Sequence, residues 1–248
     1  MRLLSDLHPC DPALGLALED VLVDSARNDG LESVRIWRNR LSVIVGRSQS
    51  VEVEVDTKQA EALKCPILRR FSGGGTVLHY PGNLNISVAF RKRVGLSDVP
   101  SVFAFFGAAL AEALAEIVPT LRCEENGLHV GDLKIGGAAQ AHRGPAILYH
   151  TTLLVWPPVL PMEDLLLAMR FGYQCAGVPS RARSVTSLAE QLGSESIELH
   201  PIAKRIENAL ASCLKVPLDL SGWTAQERMS AEVLAAEKYR SEAWNRRL

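Results

Sequence analysis

The sequence predicts an α+β fold in which mixed β-sheets are flanked by helices, within a single domain that spans residues 1–248. Amphipathic helical patterns lie near both ends and in the middle of the chain. Short strands lie between them, some alternating and some wholly apolar. The sequence shows no internal repeat, low-complexity stretch or linker, which favours one domain over two.

Up to residue 90 the pattern predicts two helices and five strands. Leu14, Leu18 and Leu22 recur at helical spacing, with Glu19 and Asp20 expected on other faces. A second, short helix begins at a cap formed by Asp56 or Thr57. The predicted helices span residues 12–27 and 56–63, and the predicted strands span 33–38, 42–46, 67–70, 76–79 and 85–90, with Pro81 and Gly82 turning the last two.

The rest of the chain adds a hairpin, a long strand and several helices. Ser101 is expected to cap a helix that reaches Ile117. Gly131 and Asp132 form a favoured hairpin turn between strands at 127–130 and 133–135. The small residues at 136–140 predict a backbone that something else approaches closely. The further predicted elements are a strand at 146–156, helices at 162–169, 201–214 and 224–244, and a loop at 173–184.

Composition excludes several classes of protein. The net charge is −1 and the pI is near 6.6, so nothing in the overall charge attracts nucleic acid or an anionic membrane. The five cysteines are scattered and contain no Cys-x-x-Cys pair, which favours a reducing compartment. No signal core and no apolar run of membrane-spanning length occur. We therefore expect a cytoplasmic protein with neither nucleic acid nor membrane as a partner.

The segment 69–83 carries most of the chemistry. Three consecutive glycines, Gly73 to Gly75, let backbone N–H groups turn toward an anion. Arg69 and Arg70 precede them, and guanidinium groups suit phosphate or carboxylate oxygens. A tight turn with solvated arginines explains the same pattern equally well. The segment by itself predicts an anion site or a turn.

A second group of residues lies later in the chain. Lys134 precedes the small segment 136–140, and the polar trio at 150–152 interrupts a strand and needs partners. The sequence contains no P-loop, no dinucleotide fingerprint, no nucleophile elbow and no pair of metal-binding histidines at helical spacing. The residues thus favour an enzyme that binds a nucleotide or an acyl phosphate, with no protein metal site.

Six segments, in order, resemble the lipoate–protein ligases. The run Arg69–Asn83 is similar to that family's Arg-Arg-x-Ser-Gly-Gly-Gly-x-Val-x-His-x-x-Gly-Asn signature, and Lys134–Gln140 to its Lys-Ile-x-Gly-x-Ala-Gln segment. The other matching segments are 35–39 with 46–49, 149–154, 183–188 and 238–245. The resemblance implies a two-sheet α+β domain shared with biotin ligases and octanoyltransferases.

The resemblance also implies an activity. Lipoate or octanoate would react with ATP, with Mg²⁺ as a further cofactor, to form an acyl-adenylate. The acyl group would then pass to a lysine of a lipoyl-domain acceptor, such as the 2-oxoacid dehydrogenase E2 or glycine cleavage H protein. Lys134 would be catalytic, because its ammonium would lie between the carboxylate and the α-phosphate.

The implied binding residues fall into two sets. The nucleotide or acyl-adenylate would contact Arg70, Ser72, Gly73, Gly74, Gly75, Thr76, Val77, His79, Asn83, Gly137, Ala138, His150 and Thr152. The acyl chain would contact Trp37, Val45, Gly46 and Arg47. Within the first set, Asn83 and the strand at Thr76 and Val77 would take the adenine, and His150 and Thr152 would line the acyl–phosphate junction. A lysine that reaches solvent and a histidine satisfied in the core remain alternatives for Lys134 and His79.

Several positions depart from the family. Gly127 stands where ligases usually have an aspartate that helps to place Mg²⁺ or ribose, and Tyr80 and Thr151 also differ. The small C-terminal accessory domain of many bacterial ligases is not expected in this chain. These departures predict either weak adenylation or the need for a separate accessory chain.

Two other functions fit the residues. The first is an octanoyltransferase that takes octanoyl from an acyl carrier protein onto the Cys175 thiolate. Its Gly-Gly-Arg or Arg-Gly-Gly motif is replaced here by Arg-Arg-x-Ser-Gly-Gly-Gly, and Cys175 also fits an ordinary loop thiol. The second is a subunit that binds lipoyl-adenylate without turnover.

Overall fold

Two β-sheets organise the chain in this computed structural model, which describes residues 1–175 and 177–248. The large sheet holds, in spatial order, β11 (Asp219–Leu220), β1 (Arg2–Cys10), β2 (Ser33–Asn39), β6 (Asn83–Arg91), β10 (Ala146–Leu154), β9 (Leu133–Arg143), β8 (Gly127–Val130) and β7 (Leu121–Glu124). The small sheet holds β4 (Ile67–Arg69), β3 (Ser42–Val45) and β5 (Val77–His79).

Both sheets are mixed. In the large sheet β1 pairs in parallel with β2 and β11, and every further neighbour from β2 to β7 is antiparallel. In the small sheet β3 is parallel to β4 and antiparallel to β5. The architecture is therefore α+β with mixed sheets, as predicted.

Helices cover the large sheet on both faces. They are α1 (Pro12–Asp29), α2 (Val51–Glu54), α3 (Thr57–Ala62), α4 (Val99–Ala115), α5 (Leu188–Leu192), α6 (Leu199–Leu214), α7 (Ala225–Leu234) and α8 (Glu242–Asn245). Among the helices of the described ranges, none has the length and apolar character needed to cross a bilayer.

The core lies around β6 and β10, whose side chains alternate between the two helical layers. Phe106 of α4 packs edge-on against Phe90, with ring centroids 5.4 Å apart, and stacks on Tyr149 at 4.8 Å. On the other face, Ala89 and Leu148 belong to the cluster formed with α1. Because both faces are covered, these strands read as nearly continuous apolar runs except where polar side chains reach the site.

The first predicted helix is confirmed as α1. Asp11 caps it by accepting a hydrogen bond from Leu14 N, and Gly30 ends it in the left-handed conformation at φ 68°. Glu19 and Asp20, which the pattern placed on other faces than the leucines, are also buried, and they are bound by polar partners from the sheet and the C-terminal segment. Asp56 caps α3 as predicted.

Other boundaries need correction. Asp98 caps α4, and Ser101 lies inside the first turn. The strands on either side of Pro81 and Gly82 belong to different sheets and form no hairpin. The small-residue segment 136–140 continues β9, because β10 pairs with it along its whole length. Residues 162–169 form two short 3₁₀ turns, and a π-helical turn at Ala235–Tyr239 follows α7. The strands β1 and β7 were not predicted.

Candidate functional site

Two cavities meet beside Lys134. The first, of about 270 Å³, lies between α1, β10 and the glycine triplet Gly73–Gly75. The second, of about 120 Å³, lies between the end of β5 and residues 180–185. The residues that line both cavities are Thr76, Val77, Lys134, Gly137, Thr152, Ser180 and Arg181. A ligand that fills both would pass this shared set.

The Lys134 ammonium is the charged group at the junction. Within the part of the chain that the structure describes, Nζ donates no hydrogen bond. A Cβ on Gly137 would lie 3.0 Å from Lys134 Cε and 3.1 Å from Nζ, so a side chain at this position would require the end of the lysine to shift. Burial and the nearby Arg183 charge lower the pKa of Lys134. The lysine is a free cation between two cavities and is not a solvated strand residue.

A polar network closes the end of the first cavity away from Lys134. His150 Nδ1 lies 3.0 Å from Glu19 Oε1, and His150 Nε2 lies 2.7 Å from Ser72 Oγ. Ser87 donates to Glu19 at 2.6 Å and accepts the Trp37 indole N–H at 3.0 Å. The network fixes Trp37, which lines the cavity, and gives His150 its partners. The other two members of the trio donate elsewhere, Thr151 to Gly137 O and Thr152 to Asn85 Oδ1.

Glu19 is the anion of this network. Burial alone would raise its pKa, but the charge of His150 and hydrogen bonds from His150 and Ser87 lower the pKa to about 2. Its carboxylate is therefore ionised at neutral pH although it is buried. Residue patterns gave no sign of this role, because an acidic residue in an amphipathic helix normally faces water.

His79 combines the two roles considered for it. It lines the first cavity, and its ring nitrogens lie 3.3 Å from Asn39 Nδ2 and from Thr152 Oγ1. Burial lowers the pKa of His79 to about 3, so the ring is neutral. Asn85 was not predicted and also lines this cavity; its buried Nδ2 has no hydrogen-bond partner among the described residues.

The two arginines before the glycine triplet bind backbone carbonyls. Arg70 donates to Gly73 O at 2.6 Å and Gly75 O at 2.7 Å, and Arg69 donates to Gly46 O at 2.9 Å and Asn245 O at 2.9 Å. Their predicted role as free charges for a phosphate is therefore corrected, since both guanidinium groups are buried and occupied.

In the described chain the triplet leaves its backbone N–H groups unpaired, and of its three glycines Gly74 alone has a positive φ. Gly74 adopts φ +85°, which an L side chain rarely tolerates. Within residues 1–175 and 177–248, the amide groups of Gly73, Gly74 and Gly75 donate no hydrogen bond. Gly74 and Gly75 line the first cavity, so the arginines shape a loop whose own N–H groups remain available to a ligand.

The second cavity is mostly apolar. Its walls include Leu78, Leu154, Met162, Leu166, Met169 and Val185. Asn83 lies at its edge, but its side chain accepts from Tyr80 N at 3.0 Å and donates to Leu78 O at 3.3 Å. An aromatic base fits the apolar surfaces of this cavity, whereas the Asn83 amide chiefly holds the turn before β6.

Residues 177–186 cover the junction through side chains that the sequence did not predict. Ser180 Oγ donates to Glu54 at 2.5 Å and accepts from Thr76 N at 2.8 Å and from Gln49 Nε2 at 3.0 Å. Lys134 N donates to Ser184 O at 2.9 Å, and Thr186 N donates to Lys134 O. A buried glutamate in the short α2 carries no recognisable sequence signal.

Most predicted nucleotide residues lie on these walls. Arg70, Gly74, Gly75, Thr76, Val77, His79, Gly137, Ala138, His150 and Thr152 line the first cavity, and Asn83 lines the second. Ser72 and Gly73 instead line a polar depression on the outer side of the triplet. His150 lies at the closed end of the first cavity and not at the junction, where Thr152 does lie.

Three of the four predicted acyl-pocket residues lie elsewhere. Trp37 lines the first cavity, but Val45 points into the core and Arg47 into the outer depression. Gly46 is needed for close packing, because a Cβ there would lie 2.0 Å from Gly74 O. Cys175 is on neither cavity wall within the described chain; its Sγ accepts Gly177 N–H at 3.4 Å.

The fold is that of a lipoate or biotin ligase catalytic domain. Residues 11–211 match the family described as the lipoyl protein ligase A/B catalytic domain. The chain belongs to this family, as the six ordered segments suggested.

Individual proteins with similar sequences are named lipoate-protein ligases. A protein of Aeropyrum pernix named lipoate-protein ligase A is 30% identical over 230 residues, which cover 92% of this chain and 86% of the relative. Lipoate-protein ligase A subunit 1 of Thermoplasma acidophilum is 27% identical, with 98% and 95% covered.

Solved structures show the same fold. A T. acidophilum lipoate protein ligase with bound lipoic acid has a TM-score of 0.82 at 25% identity and covers 100% of this chain and 99% of its own. A bi-partite ligase from the same organism, described together with its E2 lipoyl domain, also has a TM-score of 0.82, at 24% identity over 99% and 96% of the chains. Leishmania major biotin protein ligase is more distant, with a TM-score of 0.50 at 14% identity over 93% and 78%.

Proposed function

We propose that this protein is a lipoate–protein ligase that activates lipoate or octanoate with ATP and transfers the acyl group to a lysine of a lipoyl-domain acceptor. The observation that carries the proposal is the free ammonium of Lys134 at the junction of the two cavities. One cavity would hold the acyl chain and the other the nucleotide. Their reacting ends would then meet at this cation.

The first cavity suits the acyl chain. Leu16, Trp37 and Ile44 offer apolar surface, and the polar network of Glu19 and His150 ends the cavity. A fatty acid that enters with its tail toward this network would place its carboxylate near Lys134. His79 is buried and neutral, so it adds no positive charge that would attract the carboxylate to the end of the cavity away from Lys134.

The second cavity suits the adenosine. Apolar side chains such as Leu154 and Met169 would contact the faces of the base, and the edge of β5 at Val77 offers backbone groups. The free amide groups of Gly74 and Gly75 would lie on the acyl side of the α-phosphate. The nucleotide would then cross the shared residues in a single orientation.

Activation would follow from this placement. A carboxylate oxygen would attack the α-phosphorus, the bond to the bridging oxygen would break, and pyrophosphate would leave with its electron pair. Lys134 would reduce the repulsion between two anions and stabilise the charge that develops on the α-phosphate.

Transfer would use the same cation. A neutral acceptor amine would attack the acyl carbonyl, Lys134 would stabilise the oxyanion, and AMP would leave as the amine loses a proton. The bi-partite relative described with an E2 lipoyl domain supports an acceptor of that type and a second accessory chain. The five free cysteines support a cytoplasmic setting.

The test is incubation of the protein with ATP, Mg²⁺ and free lipoate, with mass spectrometry for lipoyl-adenylate and a coupled assay for pyrophosphate. We expect both products, and lipoylation when an apo lipoyl domain is added. Failure to form either product would refute the proposal, and tight binding of added lipoyl-adenylate by a protein that forms neither product would indicate the non-catalytic binder.

Octanoyl-acyl carrier protein without ATP tests the transferase alternative. We expect no transfer, because Cys175 lies outside both cavities in the described structure. Transfer that Cys175→Ala abolishes would show that the alternative is correct.

A further inference from the structure

Two arginines join Lys134 at the open side of the second cavity. Arg181 and Arg183 come from the segment that covers the junction, both are exposed, and both line the second cavity with Lys134. Arg181 lies 3.6 Å from Glu125, with 83% and 70% of the two side chains exposed. Such an exposed ion pair contributes little free energy of interaction. Lys134, Arg181 and Arg183 thus bring three positive charges to one place, and the weak ion pair with Glu125 neutralises little of that charge.

Carboxylates are scarce at the same place. Glu19 and Glu54 line the cavities, but Glu19 binds His150 and Ser87, and Glu54 binds Tyr173 and Ser180. No group of three or more His, Cys, Asp or Glu residues in the described chain could hold a metal ion. The remaining carboxylate is Glu125, on the rim.

Position 127 explains part of this scarcity. A Cβ on Gly127 would lie 2.5 Å from His129 Nε2 and 3.4 Å from Lys134 Cε. The buried imidazole of His129 therefore occupies the space in which a side chain at 127 would begin. An aspartate could not be restored there unless His129 moved, so the residues beside Lys134 leave no room for an acid.

These residues do not fit a protein-ligated Mg²⁺. Mg²⁺ is usually held by one or two carboxylates together with substrate phosphates and water. The cavities offer three cations and the Asn126 amide, whose Nδ2 donates to Ala138 O at 3.1 Å. Cationic side chains can neutralise a polyphosphate directly, and guanidinium groups match phosphate oxygens in pairs.

We propose that Arg181 and Arg183, with Lys134, bind the β- and γ-phosphates of the nucleotide and that the protein supplies no carboxylate ligand for a divalent cation. The inference rests on the proposed function, because it assigns the part of ATP that leaves as pyrophosphate. If the inference is correct, Arg181 and Arg183 contribute to the binding of ATP much more than to the binding of AMP. It also makes ATP affinity only weakly dependent on Mg²⁺.

The test is calorimetric titration of ATP and AMP into the wild-type protein and its variants, in EDTA and in Mg²⁺. We expect wild-type ATP affinity to differ by less than about threefold between the two buffers. Arg181→Ala and Arg183→Ala should each weaken ATP about tenfold or more and AMP by less than about threefold. Arg205→Ala, which removes an exposed arginine of α6, is the charge-matched control and should change neither.

Glu125→Gln separates the rival arrangement. If Glu125 held Mg²⁺, the ion would raise the ATP affinity of the wild-type protein but not that of Glu125→Gln. That result would overturn the inference. Equal losses for ATP and AMP in the arginine variants would also overturn it. ATP binding that requires Mg²⁺, together with normal lipoyl-adenylate formation, would leave the ligase proposal intact and remove only this inference.

Discussion

The two walls of the site are built in different ways. One wall consists of paired strands, in which β10 places Thr152 opposite Gly137 and His150 opposite Ala139. The other wall consists of residues 177–186, which the structure shows without regular pairing except for an isolated bridge between Lys134 and Val185. The first wall is fixed by a continuous ladder, and the second by a few side chains and two backbone hydrogen bonds to Lys134.

Because of this difference, we expect the two walls to serve different steps of the reaction. Strand register fixes the lysine, Gly137 beside it and the first cavity, because a slip of one residue would turn every side chain to the other face. The covering segment depends on Glu54, Gln49 and Ser180, so its position can change without unfolding the sheets. We expect changes in the strand wall to abolish reaction and changes in the covering segment to alter nucleotide binding.

The largest effect should follow from Lys134→Ala. We expect adenylate formation and acyl transfer to fall by about a thousandfold or more, because in the proposed mechanism the same cation would serve both steps. The melting temperature should stay within the small range of a surface substitution, since Nζ makes no hydrogen bond in the described chain. Single-turnover assays and thermal unfolding check both points. Lys58→Ala, on exposed α3, is the control, and unchanged turnover in Lys134→Ala would refute the role of the lysine.

Gly137→Ala should disturb the same wall more mildly. The new Cβ would lie 3.0 Å from Lys134 Cε, so the lysine side chain must move. We expect the rate of adenylate formation to fall about ten- to a hundredfold with little change in ATP affinity. Gly222→Ala is the matched control, because a Cβ there meets nothing within 4 Å and the residue lines neither cavity. Equal rates for the two variants would show that the lysine position is not critical.

Glu19→Gln should affect stability in a pH-dependent way. The Glu19 carboxyl has a pKa of about 2 in the folded chain and 4.5 as the reference value, so its contribution is present above pH 4.5 and is lost as the pH falls toward 2. We expect the variant to lose on the order of 3 kcal/mol at pH 7. Its stability should also fall less steeply than that of the wild-type protein between pH 4.5 and 2.

Urea unfolding at several pH values measures this difference. The exposed Glu61 of α3 provides the control, and Glu61→Gln should follow the wild-type curve. Parallel curves for Glu19→Gln and the wild-type protein below pH 4.5 would contradict the stabilisation of the Glu19 carboxylate by His150 and Ser87.

The smallest effect is expected from Ser180→Ala in the covering segment. The variant loses the Ser180 hydrogen bonds to Glu54, Gln49 and Thr76 but leaves both sheets intact. We expect KM for ATP to rise about three- to tenfold with the melting temperature nearly unchanged. Ser194→Ala, which removes an exposed hydroxyl, should have no effect. A large loss of stability in Ser180→Ala would show that the covering segment is part of the core.

The two walls also differ in how well the sequence predicts them. The strand wall could be read from residues, because Lys134, the small segment after it and the polar trio at 150–152 lie on adjacent strands. The extension of β9 to Arg143 could not be predicted, because Gly136 to Ala139 have low strand propensity. Pairing with β10 places them in the sheet. In the covering segment, the roles of Ser180, Arg181 and Glu54 depend on contacts between distant parts of the chain.

Local order thus follows from the sequence itself. The periodicity of α1, the caps at Asp11 and Asp56 and the turn at Gly131 arise from interactions over a few residues, so each can be read from its own segment. Only the tertiary structure decides that Arg69 and Arg70 bind carbonyls, that Glu19 is a buried anion and that Lys134 lies free between two cavities. The physical reason is that charge, burial and access depend on which distant groups surround a side chain, and residue type alone does not specify those groups.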